Sequence, residues 1–349
     1  MSQPVELFLK PAISAQPQVD DSDSIWKKEL ANATRSVTSL LEQLELGSHI
    51  ALTDIQPDFK CLVTDSYINK IRSGDINDPL LQQVLPLRRE NHPETQFAGV
   101  TDPVGDIDAL ASPGLLHKYH GRALLISTGA CAIHCRYCFR RAFPYQQSSC
   151  SNNAVDGVLD YLNKHGEIEE IILSGGDPLV LDNEKLSSLI SKLETIDHIQ
   201  TLRIHTRLPV VLPSRINKGL LNLLQSSRFQ VVMVIHANHA NELQKDECTQ
   251  LQRLHQAGVT LLNQSVLLKG VNDNTATLLA LSKRLFQCNT LPYYLHLLDP
   301  VRGGMHFDVD KTEALQIKTE METHLPGYLV PRLVQEIAGN KAKTAIFRI

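Results

Sequence analysis

The apolar run Arg122-Ala-Leu-Leu-Ile-Ser-Thr128 leads, two residues later, into Cys131-Ala-Ile-His-Cys135-Arg-Tyr-Cys138, and this stretch decides how the rest of the chain is read. A [4Fe–4S] cube has four iron corners and normally takes four thiolates, so three cysteines spaced C-x3-C-x2-C leave one corner free for another molecule. A structural zinc site or a disulfide pair is the plainer alternative. Zinc, however, needs a second Cys or His pair at matching spacing, and the sequence offers none. Cys61, Cys150, Cys248 and Cys288 stand singly and read as small buried hydrophobes. The total of seven is odd, which argues against a complete disulfide framework.

Downstream of Arg122, short aliphatic runs alternate with helical stretches, the pattern of repeated βα units. The strand candidates are 123–127, 170–173, 202–205, 230–235, 260–267 and 292–297, with helices over 184–194, 241–256 and 276–287. Six such units are too few for a closed eight-stranded barrel. In βα barrels the site lies on loops at the strands' C-terminal ends, and the cysteine loop follows the first strand as that rule requires. Upstream the texture differs. Trp26, Leu30, Ala33, Val37, Leu40, Leu41 and Leu44 recur at helical spacing and predict one amphipathic helix. A second is predicted over 67–72, stopping at Gly74, and Asp78-Pro79 reads as the cap and first residue of a third. A polar connection from Arg88 to Pro113 reads as linker or substrate-side loop.

The 349 residues suffice for one large α/β domain with an accessory segment. A formal net charge of −4 gives no reason to expect nucleic acid as a partner. No apolar run is long enough to span a bilayer, and the N-terminus lacks a basic region followed by a long apolar stretch. A cytoplasmic location is expected, since cluster ligation needs thiolates and a reducing compartment.

The predicted strand ends carry the polar motifs. Strand two ends in Ser174-Gly175-Gly176-Asp177-Pro178, where two glycines let the backbone pass close to a ligand. Strand four ends in His236-Ala-Asn238-His239, and strand five contains Asn263 and Gln264, whose buried amides need partners that a cofactor would supply. Arg203 and Arg207, around strand three, suit a carboxylate or phosphate, but solvent-facing arginines are commoner and neither is given a role.

The cysteine spacing with Tyr137 before the last cysteine resembles the radical S-adenosylmethionine enzymes, whose open iron chelates the methionine moiety of the cofactor. The resemblance implies a partial (βα)6 TIM-like barrel with an N-terminal helical region over 1–95, a barrel over 96–320 and a C-terminal segment over 321–349. It places Cys131, Cys135 and Cys138 on the cluster, and Tyr137, Gly175, Gly176, Asp177, His236 and Gln264 around S-adenosylmethionine. Taken blind, the end of the chain is a strand followed by a loose basic tail. Beside the cysteine motif, Gly327 to Thr344 resembles the lysine 2,3-aminomutases, in which a lysine after the last strand binds pyridoxal 5′-phosphate. The matching position is Lys343, with Lys341 a nearby competitor.

Further stretches, Pro113 to Leu125, Cys135 to Arg141, Leu261 to Leu268 and Pro292 to His296, are similar to the aminomutases of the elongation factor P modification pathway. The chain also lacks the cysteine-rich C-terminal extension of clostridial-type relatives. By this resemblance Lys118 and Arg122 hold the pyridoxal phosphate, Arg140 clamps the carboxylate of L-lysine, and Asp299 and Glu336 take its distal ammonium. The implied reaction is (S)-α-lysine to (R)-β-lysine, with a flavodoxin- or ferredoxin-type reductant, a functional link to an elongation factor P ligase, and a homo-oligomeric assembly. An aminomutase for glutamate or arginine is the enzyme alternative; an idle iron–sulfur or interaction protein is the alternative of another class.

Overall fold

The computed structural model describes residues 22–145 and 155–347. Ten strands form one open sheet in simple sequence order. Its parallel heart is β3 (Arg122–Thr128), β4 (Glu170–Gly175), β5 (Thr201–Thr206), β6 (Gln230–His236), β7 (Thr260–Val266) and β8 (Leu291–His296). All six strands expected from sequence are present. Their helix-facing positions are aliphatic and fully buried, as in Ile171, Leu173, Leu202, Ile204 and Met233, while alternate residues such as Ile172, Ser174, Arg203 and His205 line the cavity side. Helices Asn183–Leu193 and Thr275–Gln287 match expectation to within a residue or two and start on side-chain caps from Asp182 and Asn274.

Four elements extend or modify the expected barrel. A hairpin of β1 (Leu110–Ser112) and β2 (Leu115–Tyr119) adds antiparallel to β3, and Arg88–Pro113 is therefore not a free linker. Val100 pairs with Val301, and Asp106 is buried. At the far edge β9 (Arg332–Gln335) adds parallel to β8, and β10 (Thr344–Ala345) turns back antiparallel on it through Gly339, at φ +83°. The expected loose tail is thus a hairpin. The expected helix over 241–256 is a 3-10 turn, Ala240–Glu242, followed by helix Lys245–Gln256, because the Glu242 carboxylate turns back to accept from the Asn238 and His239 amides.

The single helix expected from Trp26 to Leu44 is two, Ser22–Asn32 and Val37–Gln43. Thr34 leaves the helix to pair with Val63, and Ser36 caps the second helix, so the apolar spacing survives across a break. The helix expected over 67–72 is one turn, Asp65–Ile68, whereas Asp78 caps Pro79–Gln82 as read. One contiguous apolar core joins Trp26 and Leu40 of this region to Leu295 and Ile346 of the barrel. Cys248 and Cys288, read as separate buried hydrophobes, are instead joined as a disulfide with Cα atoms 4.7 Å apart, the first turn of helix Lys245–Gln256 meeting the C-cap of helix Thr275–Gln287. Cys61 is buried as read, and Cys150 lies outside the described residues. Among the described residues no helix is long and apolar enough to cross a membrane.

Candidate active site

At the C-terminal ends of the parallel strands lies a cavity of about 690 Å³. Its size falls within the ordinary range for ligand sites, roughly 300–1,000 Å³. All fifteen residues expected from sequence line it, drawn from eight separate segments of the chain. Lys341 does not: it is exposed in the turn of the last hairpin, while Lys343, immediately before β10, has its Nζ 2.6 Å from Glu336 Oε2.

Cys131, Cys135 and Cys138 are free thiols on the wall of this cavity. Burial, then the nearby Cys138, Asp177 and Cys135, hold Cys131 well above the ordinary thiol range; burial and Cys135 push Cys138 up to about 11. Crowded, desolvated thiols of this kind give up their protons only to a strongly cationic partner, which is the chemistry of iron ligation. A cube takes each thiolate on a different corner, so the donor set fits a cluster.

The Gly175-Gly176 turn lines the cavity and also packs on the backbone that opens the cysteine loop. Gly175 has φ +117°, and a Cβ at Gly176 would lie 2.2 Å from the Ala130 carbonyl oxygen. The Gly176 and Asp177 amides donate to Thr128 and Ala130, 2.7 and 2.8 Å away. Absence of side chains therefore lets the backbone that launches the cysteine loop lie directly on the end of β4. Asp177 is likewise turned inward, its carboxylate accepting from Thr206 Oγ1, the Leu179 amide and the Arg207 amide. Burial pushes its carboxyl up to about 6 against those hydrogen bonds. The Asp177 carboxylate thus braces two strand ends, while the residue itself lines the cavity beside the glycine turn.

Tyr137 and His236 meet, hydroxyl to Nε2, at 2.7 Å, and Asn238 also donates to that hydroxyl. Burial and the Arg207 charge lower His236 to about 3, so its ring is neutral. Asn263 needs no cofactor, since Ala237 and Ser265 satisfy its amide; Gln264 lines the cavity.

The opposite wall is a charged box. Asp106, which sequence reading missed, takes Arg140 Nε on one oxygen and Lys118 Nζ on the other, both at 2.6 Å. Arg140 also donates to Ser174 Oγ, and Arg122 stacks over the Tyr119 ring. Tyr119 donates to Glu336, whose carboxyl burial raises but Lys343, Tyr119 and Lys118 together hold below the usual range. Asp299 has one buried oxygen with no partner among the described residues, and burial pushes its carboxyl up to about 7. Arg207, also without an assigned role in the sequence, has its guanidinium 2.6 Å from Cys135 Sγ. Neither Asp106 nor Arg207 sits in a sequence pattern that distinguishes it from a surface charge.

A model of the radical SAM superfamily matches residues 125–281. The chain is 45% identical over 334 residues to an L-lysine 2,3-aminomutase of Haemophilus influenzae, covering 95% of this chain and 98% of that protein. Its similarity to an L-lysine 2,3-aminomutase of Escherichia coli K12 is 43% identity over 324 residues, 92% of this chain and 94% of the relative. An L-lysine 2,3-aminomutase of Clostridium subterminale is 33% identical over 332 residues, 94% of this chain and 79% of the relative.

Proposed function

The chain belongs to the lysine 2,3-aminomutases of the radical S-adenosylmethionine superfamily, and from that membership we propose that it converts (S)-α-lysine to (R)-β-lysine in the cytoplasm, for attachment to elongation factor P by a partner ligase. It is an isomerase. Bound together, a [4Fe–4S] cluster, S-adenosylmethionine and pyridoxal phosphate supply a radical able to take an unactivated C3 hydrogen and a π-system over which the nitrogen migrates.

The chain's own residues bind and orient. Cys131, Cys135 and Cys138 hold three iron corners, and the wall of Tyr137, Gly175, Gly176, Asp177, His236 and Gln264 faces S-adenosylmethionine. Lys343 carries the pyridoxal phosphate, with Lys118 and Arg122 toward its phosphate. Glu336 Oε2 accepts from Lys343 Nζ and so holds that amine at the cavity wall, where the pyridoxal phosphate would meet it. Arg140, fixed by Asp106 and Ser174, keeps the planar fork of its guanidinium for the substrate carboxylate.

One observation carries the choice of substrate: an alkylammonium, that of Lys343, is seated on Glu336 in the same cavity as the unpartnered Asp299. Two carboxylates at that end suit a cationic side chain and repel the γ-carboxylate of glutamate. A low-potential carrier of flavodoxin or ferredoxin type supplies the electron.

The test is anaerobic reconstitution with iron, sulfide and pyridoxal phosphate, followed by separate incubations with lysine, glutamate and arginine and mass-resolved detection of β-amino product. Lysine is the expected substrate; a preference for either of the others overturns the reading. Lys343→Ala abolishes the absorbance of protein-bound pyridoxal and leaves the cluster spectrum, while Lys341→Ala changes neither. The reverse pattern moves the assignment to Lys341.

A further inference from the structure

Arg207 emerges from the end of β5 into the protein interior, 6% exposed, and is fixed from four directions. Its amide donates to Asp177 at 2.6 Å. Its Nη2 donates to Gln83 Oε1 at 2.7 Å and to Glu242 Oε2 at 2.8 Å, while Nη1 reaches Cys135 Sγ at 2.6 Å. Glu242 is itself immobilised, accepting from the Asn238 and His239 amides and from Gln83. The result is a buried dipole whose positive end touches one sulfur of the three-cysteine loop and whose negative end points away from it.

We infer that Arg207, oriented by Glu242, is a positioning residue that raises the reduction potential of the cluster held by Cys135. The inference rests on the cluster reading above. One electron from a low-potential carrier takes a [4Fe–4S] centre from the 2+ to the 1+ state, with no bond made or broken, and part of the added negative charge falls on the ligating sulfurs. Hydrogen bonds to those sulfurs and nearby charge are the protein's levers on that potential. A guanidinium in contact with the sulfur stabilises the reduced state more than the oxidised one, and at this depth water does little to screen it. Glu242 partly cancels that field from farther away, so the two residues act in opposite directions.

That opposition supplies a readout a strut would not move. Full-length chain is reconstituted anaerobically, iron content is measured, and the cluster midpoint is titrated against dithionite by electron paramagnetic resonance. Glu242→Gln, which leaves the Arg207 charge uncompensated, shifts the midpoint upward. The double variant Arg207→Met with Glu242→Gln, which removes both charges, shifts it downward by at least a tenfold loss of reduced cluster at fixed poise, or 59 mV for a one-electron couple. Equal midpoints in wild type and Glu242→Gln overturn the inference, whether or not the double variant loads iron. A wild-type chain that assembles no [4Fe–4S] centre overturns the proposed function itself, and this inference with it.

Discussion

Asp299 shows how a single side chain can report on the chemistry around it. Burial drives its carboxyl up to about 7, with Lys343 and Lys118 opposing the rise and Glu336 and Asp106 adding to it. A carboxylic acid below that pH cannot pair with an ammonium group, so with the substrate's ammonium on Asp299, as proposed above, binding requires loss of the proton. In the free enzyme, kcat/KM for lysine therefore falls about tenfold per pH unit below pH 7. In Asp299→Asn that acidic limb disappears, and KM rises roughly ten- to a hundredfold for the loss of a charge-assisted bond of about 1.5–3 kcal/mol. An unchanged acidic limb in the variant would remove Asp299 from the substrate site. Histidines 205 and 296 contribute no charge here, since burial holds both well below the ordinary imidazole range.

At the level of elements, the cavity depends on how closely loops at the strand ends can approach one another. The turn after β4 lies directly on the segment that opens the cysteine loop, with room for hydrogen at Gly176 and for nothing larger. Gly176→Ala must push the Ala130 carbonyl aside, at an overpacking cost of about 1–3 kcal/mol. Because the displaced backbone is one residue from Cys131, the variant should lose bound iron out of proportion to its loss of stability. Full iron occupancy with an unaltered melting temperature would show that the contact is slack. The β9–β10 hairpin works in the same local way: Lys341 sits in its exposed turn, and Lys343, immediately before β10, reaches Glu336, immediately after β9.

Across the whole molecule, the N-terminal region is tied to the cysteine loop by a buried carboxylate. Glu90 accepts from Arg136 through both oxygens, at 2.8 and 2.6 Å, and from Arg141 at 2.9 Å. Burial alone would raise its carboxyl, but Arg136, Arg141 and the Leu87 amide together hold it below the usual carboxylate range. With its folded pKa depressed, Glu90 contributes stability above about pH 4.3, and that contribution is lost as pH falls through the folded value. Glu90→Gln leaves two interior arginines without a counter-charge and should cost about 3–5 kcal/mol in denaturant unfolding at neutral pH. The deficit should shrink in acid, where the wild-type carboxyl is also protonated. A deficit independent of pH would mean that shape, and not charge, joins the two regions.

The local pattern of the chain was enough for the six parallel strands, the cysteine loop after the first of them, and the cavity-lining residues at the strand ends. Hydrophobic runs set strand positions, and side chains just past a strand have few places to go. Close approaches between segments distant in sequence were decided by the tertiary structure alone. Glu242 folding back on the Asn238 amide split a predicted helix, Thr34 pairing with Val63 broke another, and a distant pair of cysteines came together. Asp106 beneath Arg140 and Arg207 against Cys135 belong to the same class. A charge draws its partner from whatever the fold brings within about 3 Å, and linear spacing carries no record of that distance.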